Sequence, residues 1–297
     1  MEGVCRLCDR ETALEESHVI PSFVYKWLKD SSWTGALRCG LHPNKRVQDG
    51  YKFYWLCGRC EDRLNTWETT FANLVFYPFN KEETNTVSYD AWLLKFCTSI
   101  SWRVLTLFIE EDNFYQNAPE PMRNAAKRAH MVWKEFLLDE CPHPERHEQH
   151  LLPLDLIESY TSPDIPTNIN RYILRSVDIE VAWSSPKNVF VYSKLGRFLI
   201  VGFINVERRK EWGGTKVHVQ RGVLGPRYYT WPGRFREFFF GQARKSAKVL
   251  ARISEKQQQK IDQSFQKHME KGTTSETLKA MDHDVWLFGK AAFEDGA

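Results

Sequence analysis

Two Cys-x-x-Cys pairs, Cys5–Cys8 and Cys57–Cys60, constrain this chain more than any other feature of it. A two-residue gap lets both sulfurs of a pair turn toward one ion, and four thiolates satisfy the tetrahedral preference of zinc. The 48 residues between the pairs then close a loop around the metal. Cys5, Cys8, Cys57 and Cys60 are therefore the expected ligands of a structural Zn²⁺. Cys39, Cys97 and Cys141 lack this spacing and read as small apolar side chains. Seven cysteines, an odd number with four in metal-type pairs, point to a reducing compartment rather than a disulfide framework.

Hydrophobic residues make up 42% of the 297 and aromatics 14%, enough for a real core, so wholesale disorder is excluded. Lys and Arg total 41 against 38 Asp and Glu. A net charge of +3 neither demands nor excludes a polyanionic partner, and local clustering has to decide. Residues 1–20 carry charges and two Cys with no apolar stretch of the kind a secretory signal needs. Trp92 to Ile109 comes closest to bilayer length, but Lys95 and Arg103 interrupt it. The expectation is a cytoplasmic protein with no membrane partner.

The pattern along the chain predicts a mixed α+β fold: a compact metal-bound module over residues 1–80, then a helical and β-hairpin region over 81–297. Ser22 to Lys29 reads as a short helix or turn, Asp49-Gly50 as a turn, and Tyr51 to Leu56 as a strand running into the second cysteine pair. Leu64, Trp67, Phe71 and Leu74 recur at helical spacing over 60–75. Tyr89 to Glu110 predicts a helix apolar nearly all round, and Pro119 to Glu140 a more amphipathic one. The Pro- and His-rich segment 141–169 reads as loop with short helical pieces. Val189 to Tyr192 and Phe198 to Phe203 flank a turn at Lys194 to Gly196, a hairpin pattern, and Val217 to Val223 is a further strand candidate. Glu237 to Lys271 predicts one long helix stopped by Gly272, with Thr273 and Glu276 spaced as a capping box for a last helix.

Between the cysteine pairs stands Glu16-Ser17-His18-Val19-Ile20-Pro21, and Leu56-Cys57-Gly58-Arg59-Cys60-Glu61 follows. This layout over residues 4–70 resembles the zinc-containing branch of the HNH endonucleases. The resemblance implies a zinc-stapled ββα-metal unit at the head of the α+β chain, and metal-dependent phosphodiester hydrolysis of DNA or RNA, DNA before RNA. It implies His18 as the general base on the attacking water, a role suited to a side chain that titrates near neutrality. It implies Mg²⁺ or Mn²⁺ as catalytic ion, with Glu61 standing where the family has its last His; a carboxylate is a suitable hard ligand for such ions. The family's metal-binding Asp before the base is Ser17 here, its Asn is Lys52, and Glu16 and Asp49 are candidates to compensate. The alternatives are a catalytically inactive zinc module that binds nucleic acid or a partner protein, and a purely structural zinc module in a protein whose function lies in residues 81–297; Ser17, Lys52 and Glu61 favour these, His18 favours the nuclease.

Three other features stand out. Cys141, His143, His147 and His150, interleaved with Glu145 and Glu148, form a second metal-type set whose plainer reading is a solvated polar segment. Asn44-Lys45-Arg46-Val47-Gln48 is a basic loop. Arg208-Arg209-Lys210 and the run Arg234, Arg236, Arg244, Lys245, Lys248 and Arg252, with Trp212, Tyr228, Tyr229 and Trp231 nearby, have the composition of a phosphate- and base-binding surface or of a solvated helix face.

Overall fold

The computed structural model describes all residues except 39, 41, 111–116, 226–227, 271–274 and 294–297, and of 270 only the backbone. Cys39, Gly272 and Thr273 lie outside the described residues. In chain order the elements are β1 (Glu2–Val4), β2 (Glu11–His18), α1 (Ser22–Asp30), β3 (Leu37–Arg38), β4 (Arg46–Val47), β5 (Lys52–Cys57), α2 (Gly58–Phe71), a π-helical turn (Ala72–Phe76), α3 (Tyr77–Asn80), β6 (Val87–Asp90), α4 (Ala91–Glu110), α5 (Glu120–Leu137), β7 (Gln149–Pro153), α6 (Ile169–Arg175), β8 (Val177–Ser185), β9 (Asn188–Leu195), β10 (Phe198–Val206), β11 (Arg221–Leu224), α7 (Gly233–Leu250), α8 (Glu255–Glu270) and α9 (Glu276–Phe288). The fold is mixed α+β, as the sequence pattern predicts.

Two compact units divide the chain, and they interleave in sequence. The first comprises residues 1–21, 51–153 and 177–230; the second comprises 22–50, 154–176 and 231–297. This division does not follow a boundary at residue 80, because 22–50 cluster with the C-terminal helices while α2 and α4 share a unit with both larger sheets.

The first unit holds an antiparallel sheet of order β1-β2-β5, a second of order β7-β10-β9-β8, and the ribbon β6–β11. The helix α4 is buried on nearly every side: apolar side chains recur all round it, Thr98, Ser99, Ser101 and Thr106 are buried among them, and it packs on α2, α5 and strands β7 to β10. By length and composition α4 could cross a bilayer, but 89% of its apolar window is buried, so that surface is used by the core of this unit. A Cβ at position 202 would lie 2.5 Å from Ser101 Oγ, so Gly202 on β10 lets α4 approach the sheet closely. Phe71, at the end of α2, stacks on Phe96 of α4 at 4.0 Å and meets Phe198 of β10 edge-on at 5.3 Å. Those rings fix the C-terminal end of α2, and with it the direction in which its N-terminal end points.

In the second unit, the buried carboxylate of Asp284 on α9 accepts from the main-chain N–H of Asn170 at 2.7 Å and of Arg171 at 3.1 Å, so it satisfies the free amides at the start of α6 from a distant helix. Arg175 at the other end of α6 donates to Leu28 O and Ser31 Oγ, closing the C-terminus of α1. α9 begins after Ser275 as N-cap.

Two expectations need correction. The long helix over 237–271 is two helices, α7 and α8, parted at 251–254. The cause is tertiary: Asn44 donates to Arg252 O at 3.2 Å and accepts from Ser254 N–H at 2.7 Å, satisfying backbone groups that a continuous helix would use itself. The segment 141–169 is not only loop and helical pieces, since Gln149–Pro153 forms the edge strand β7. No element was expected over residues 11–18, where Glu-Thr-Ala-Leu-Glu-Glu-Ser-His forms β2: pairing with β1 and β5 makes it a strand, and Leu14 and Ser17 alone are buried, on either side of the irregularity at Glu15–Glu16.

Candidate functional site

β2 runs antiparallel to β5 in the register Leu14↔Cys57 to His18↔Lys52, with a bulge at Glu15–Glu16. β5 ends in Cys57, and α2 starts one residue later, so both members of the second cysteine pair sit at a strand-to-helix junction. The first pair lies in a tight turn: Asp9 N–H donates to Cys5 O at 2.9 Å, and Asp9 itself takes a left-handed backbone with φ of 57°. Arg6 N–H donates to Trp55 O at 2.8 Å, which seats that turn against β5.

Cys5, Cys8, Cys57 and Cys60 thereby come together, with all four sulfurs within 4.8 Å of one another. The Cys8 and Cys57 sulfurs are 3.8 Å apart. Tetrahedral thiolates on an ion at about 2.3 Å are separated by about 3.8 Å, so the spacing suits zinc. Cys57 N–H donates to Cys5 Sγ at 3.4 Å. Burial opposes ionisation of Cys5, but the main-chain N–H groups of Cys57, Cys8 and Leu7 overcome it and bring that thiol down to about 7. Burial holds the Cys8 and Cys60 thiols above their ordinary value. The group can hold a metal ion, and among the described residues it is the one set of three or more His, Cys, Asp or Glu that can.

Beside it, the end of β2 faces the first turns of α2. Ser17 is fully buried, and its hydroxyl donates to Glu61 Oε2 at 2.8 Å. His18 follows, half-buried. Its main-chain carbonyl accepts from Arg103 Nη1 at 2.7 Å, and Arg103 Nη2 pairs with Glu68 Oε1 at 2.5 Å. Glu61 and Glu68 are seven apart on α2, two turns along one face. Burial pushes the Glu68 carboxyl up against the pull of Arg103; the charge of Glu61 adds to the rise, and His18 acts the other way. His18, Glu61, Glu68 and Arg103 thus form one electrostatic neighbourhood with Ser17 at its edge.

Of the residues picked out from sequence, Glu16 pairs with Lys52 at 3.5 Å across the strands. Asp49 accepts from Gly50 N–H at 3.0 Å, as its turn requires. Glu68 and Arg103 were not picked out. Arg103 carried a signal, a guanidinium inside an otherwise apolar helix, which demands a buried partner.

The second metal-type set does not assemble. His147 Nδ1 lies 3.2 Å from Phe203 O, His150 Nδ1 lies 2.7 Å from Thr215 Oγ1, and Cys141 Sγ lies against His143 O. The segment is solvated only in part: His143 and Glu145 are exposed, but His147 and His150 are buried, and Glu148 is held down to about 2, where the hydrogen bonds and charges of His150 and Lys216 outweigh burial. It is a structural polar cluster behind β7. A surface hollow lined by His143, His218, Val219, Gln220 and Arg221 shares no residue with the site at Ser17 and Glu61.

Compared with models of known protein families, with curated proteins and with solved structures, the chain matches none.

Proposed function

We propose that this protein hydrolyses phosphodiester bonds in nucleic acid, with the cysteine group holding a structural Zn²⁺ and a divalent ion, Mg²⁺ or Mn²⁺, serving the reaction. The observation that carries the reading is the meeting of Ser17 and Glu61 beside His18 at the junction of strand and helix. Neighbouring oxygens on an octahedral ion at about 2.1 Å lie about 3 Å apart. The Ser17 and Glu61 oxygens, 2.8 Å apart, are near that spacing. A hydroxyl paired with acidic groups is an accepted Mg²⁺ donor set where substrate phosphate completes the sphere. Ser17 and Glu61 would hold such an ion, which supplies charge neutralisation at the phosphate and the leaving oxygen when bound.

The chain's own residues do the rest. His18 takes the proton of the attacking water as the new P–O bond forms and the old one breaks. Arg103 fixes the His18 main chain, and Glu68 keeps the Arg103 guanidinium paired. The test is cleavage of labelled DNA and RNA by wild type and His18→Ala with each ion.

One observation favours the second reading, a retired module that binds nucleic acid or a partner protein without cutting. Outside the cysteines, no three metal-binding groups among the described residues lie close enough to share an ion. Retained nucleic-acid binding with no cleavage under any ion selects that reading.

A further inference from the structure

The second unit brings two separated basic segments into one surface. Residues 31–48 contain Arg38, Lys45 and Arg46 and no carboxylate; residues 238–254 contain Arg244, Lys245, Lys248 and Arg252 and again none. Seven basic side chains with no acid, in a chain whose net charge is only +3, leave the remainder net negative. Charge is thus concentrated, not spread.

The geometry joins them. Asn44 stands next to Lys45 and Arg46, and its side-chain amide binds Arg252 O and Ser254 N–H, just past the end of α7. That clamp sets the basic loop against the Lys248–Arg252 end of the helix. On the ribbon β3–β4, Arg38 and Arg46 are direct cross-strand partners. Like charges at that position oppose folding. Burial and then the charge of Arg46 both act against the charged form of Arg38, whose Nη1 donates to the Pro43 carbonyl at 2.8 Å. Lys45, Arg46, Lys248 and Arg252 are exposed, and their side chains form no ion pair among the described residues. An arrangement that accumulates unneutralised cations is stabilised when an anion occupies it.

We infer that this surface of the second unit, formed by Lys45, Arg46, Lys248 and Arg252 around the Asn44 clamp, binds the phosphate backbone of a nucleic acid strand. The choice of nucleic acid over another polyanion rests on the function proposed above. The two Arg of the four, Arg46 and Arg252, suit paired contacts to phosphate oxygens, and the two Lys add point charge.

Fluorescence anisotropy with labelled duplex DNA, single-stranded DNA and RNA tests it, across a salt series, on the full chain. The variant carries Lys45→Gln, Arg46→Gln, Lys248→Gln and Arg252→Gln, and a circular-dichroism melt confirms that it folds; Asn44→Ala is the independent second variant. The expected result for the fourfold variant is at least roughly tenfold weaker binding and a salt dependence shallower by up to about 3.6. Asn44→Ala should weaken binding without that full loss of slope. Wild-type affinity and slope in both variants overturns the surface. Binding of polyglutamate or of phosphatidylserine vesicles in preference to every nucleic acid overturns the occupant. Loss of binding in the variant, with His18→Ala still binding and wild type cutting nothing, upholds the surface while rejecting the hydrolytic reading.

Discussion

Arg103, fully buried in α4, donates to the main-chain carbonyl of His18 at 2.7 Å and pairs with Glu68 on α2 at 2.5 Å. A helix outside the cysteine-bound segment thus fixes the end of β2 that carries the candidate base. Arg103→Ala leaves Glu68 buried beside Glu61 without its cation. A loss of about 3–5 kcal/mol is expected in denaturant unfolding. The paired change Arg103→Met with Glu68→Gln should recover much of that loss. A cost under about 1 kcal/mol for Arg103→Ala would show that the pair is not what holds β2 to α2.

Metal occupancy is expected at about one tightly bound zinc per chain, because four thiolates at this spacing make a closed site. Elemental analysis should give that value, and Cys57→Ser or Cys60→Ser should lower it sharply. A strong chelator should raise hydrogen exchange in β1, β2, β5 and the start of α2 before it affects the sheet β7-β10-β9-β8. Unchanged exchange after verified zinc removal would contradict the coupling of metal to local folding.

How much of this was readable beforehand depends on how local each cause is. Cys5-x-x-Cys8 and Cys57-x-x-Cys60 announce themselves because ligand spacing is a property of a few adjacent residues. The apolar runs behind α4, β9 and β10 are equally local. β2 was hidden because six of its eight residues are charged, polar or threonine, and its strand identity comes from pairing with β5, forty residues on. The break between α7 and α8 is set by Asn44, some two hundred residues away, and no helical periodicity could reveal it. In the site, His18 and Glu61 were visible from their positions about the cysteine pairs. Glu68 and Arg103 were not, since their meaning arises only when α4 packs on α2.

Acid sensitivity follows from His130. Thr106 donates its one hydroxyl proton to Trp102 O, so the 2.8 Å contact with His130 must use the imidazole Nε2–H as donor. Burial, followed by the charge of Lys134, lowers this imidazole to about 4 against the opposing pull of Asp9. The folded state therefore binds this proton less readily than the unfolded chain. Its stabilising contribution is whole above about pH 6.5 and is lost as pH falls toward 4, for up to about 3 kcal/mol. His147 and His150 are lowered by burial in the same sense. Denaturation midpoints across pH 4 to 7 should drop with falling pH, and His130→Gln should flatten part of the drop. A profile in the variant identical to wild type would remove His130 from the account.

Glu61→Gln should separate metal dependence from fold. The amide keeps the Ser17 hydrogen bond but removes the charge, so more Mn²⁺ should be needed to reach half-maximal cleavage, with zinc content and melting temperature unchanged. An unaltered Mn²⁺ requirement would place the catalytic ion elsewhere.

The most direct measurement compares wild type with His18→Ala, both at full zinc content, on single-stranded DNA, duplex DNA and RNA with Mg²⁺ or Mn²⁺. General-base assistance is worth roughly 10²- to 10⁴-fold, so wild type should cut at least one substrate and His18→Ala should cut it at least about a hundredfold more slowly. Equal cleavage by the two proteins, or none by wild type while nucleic acid is still bound, would contradict hydrolysis at this site.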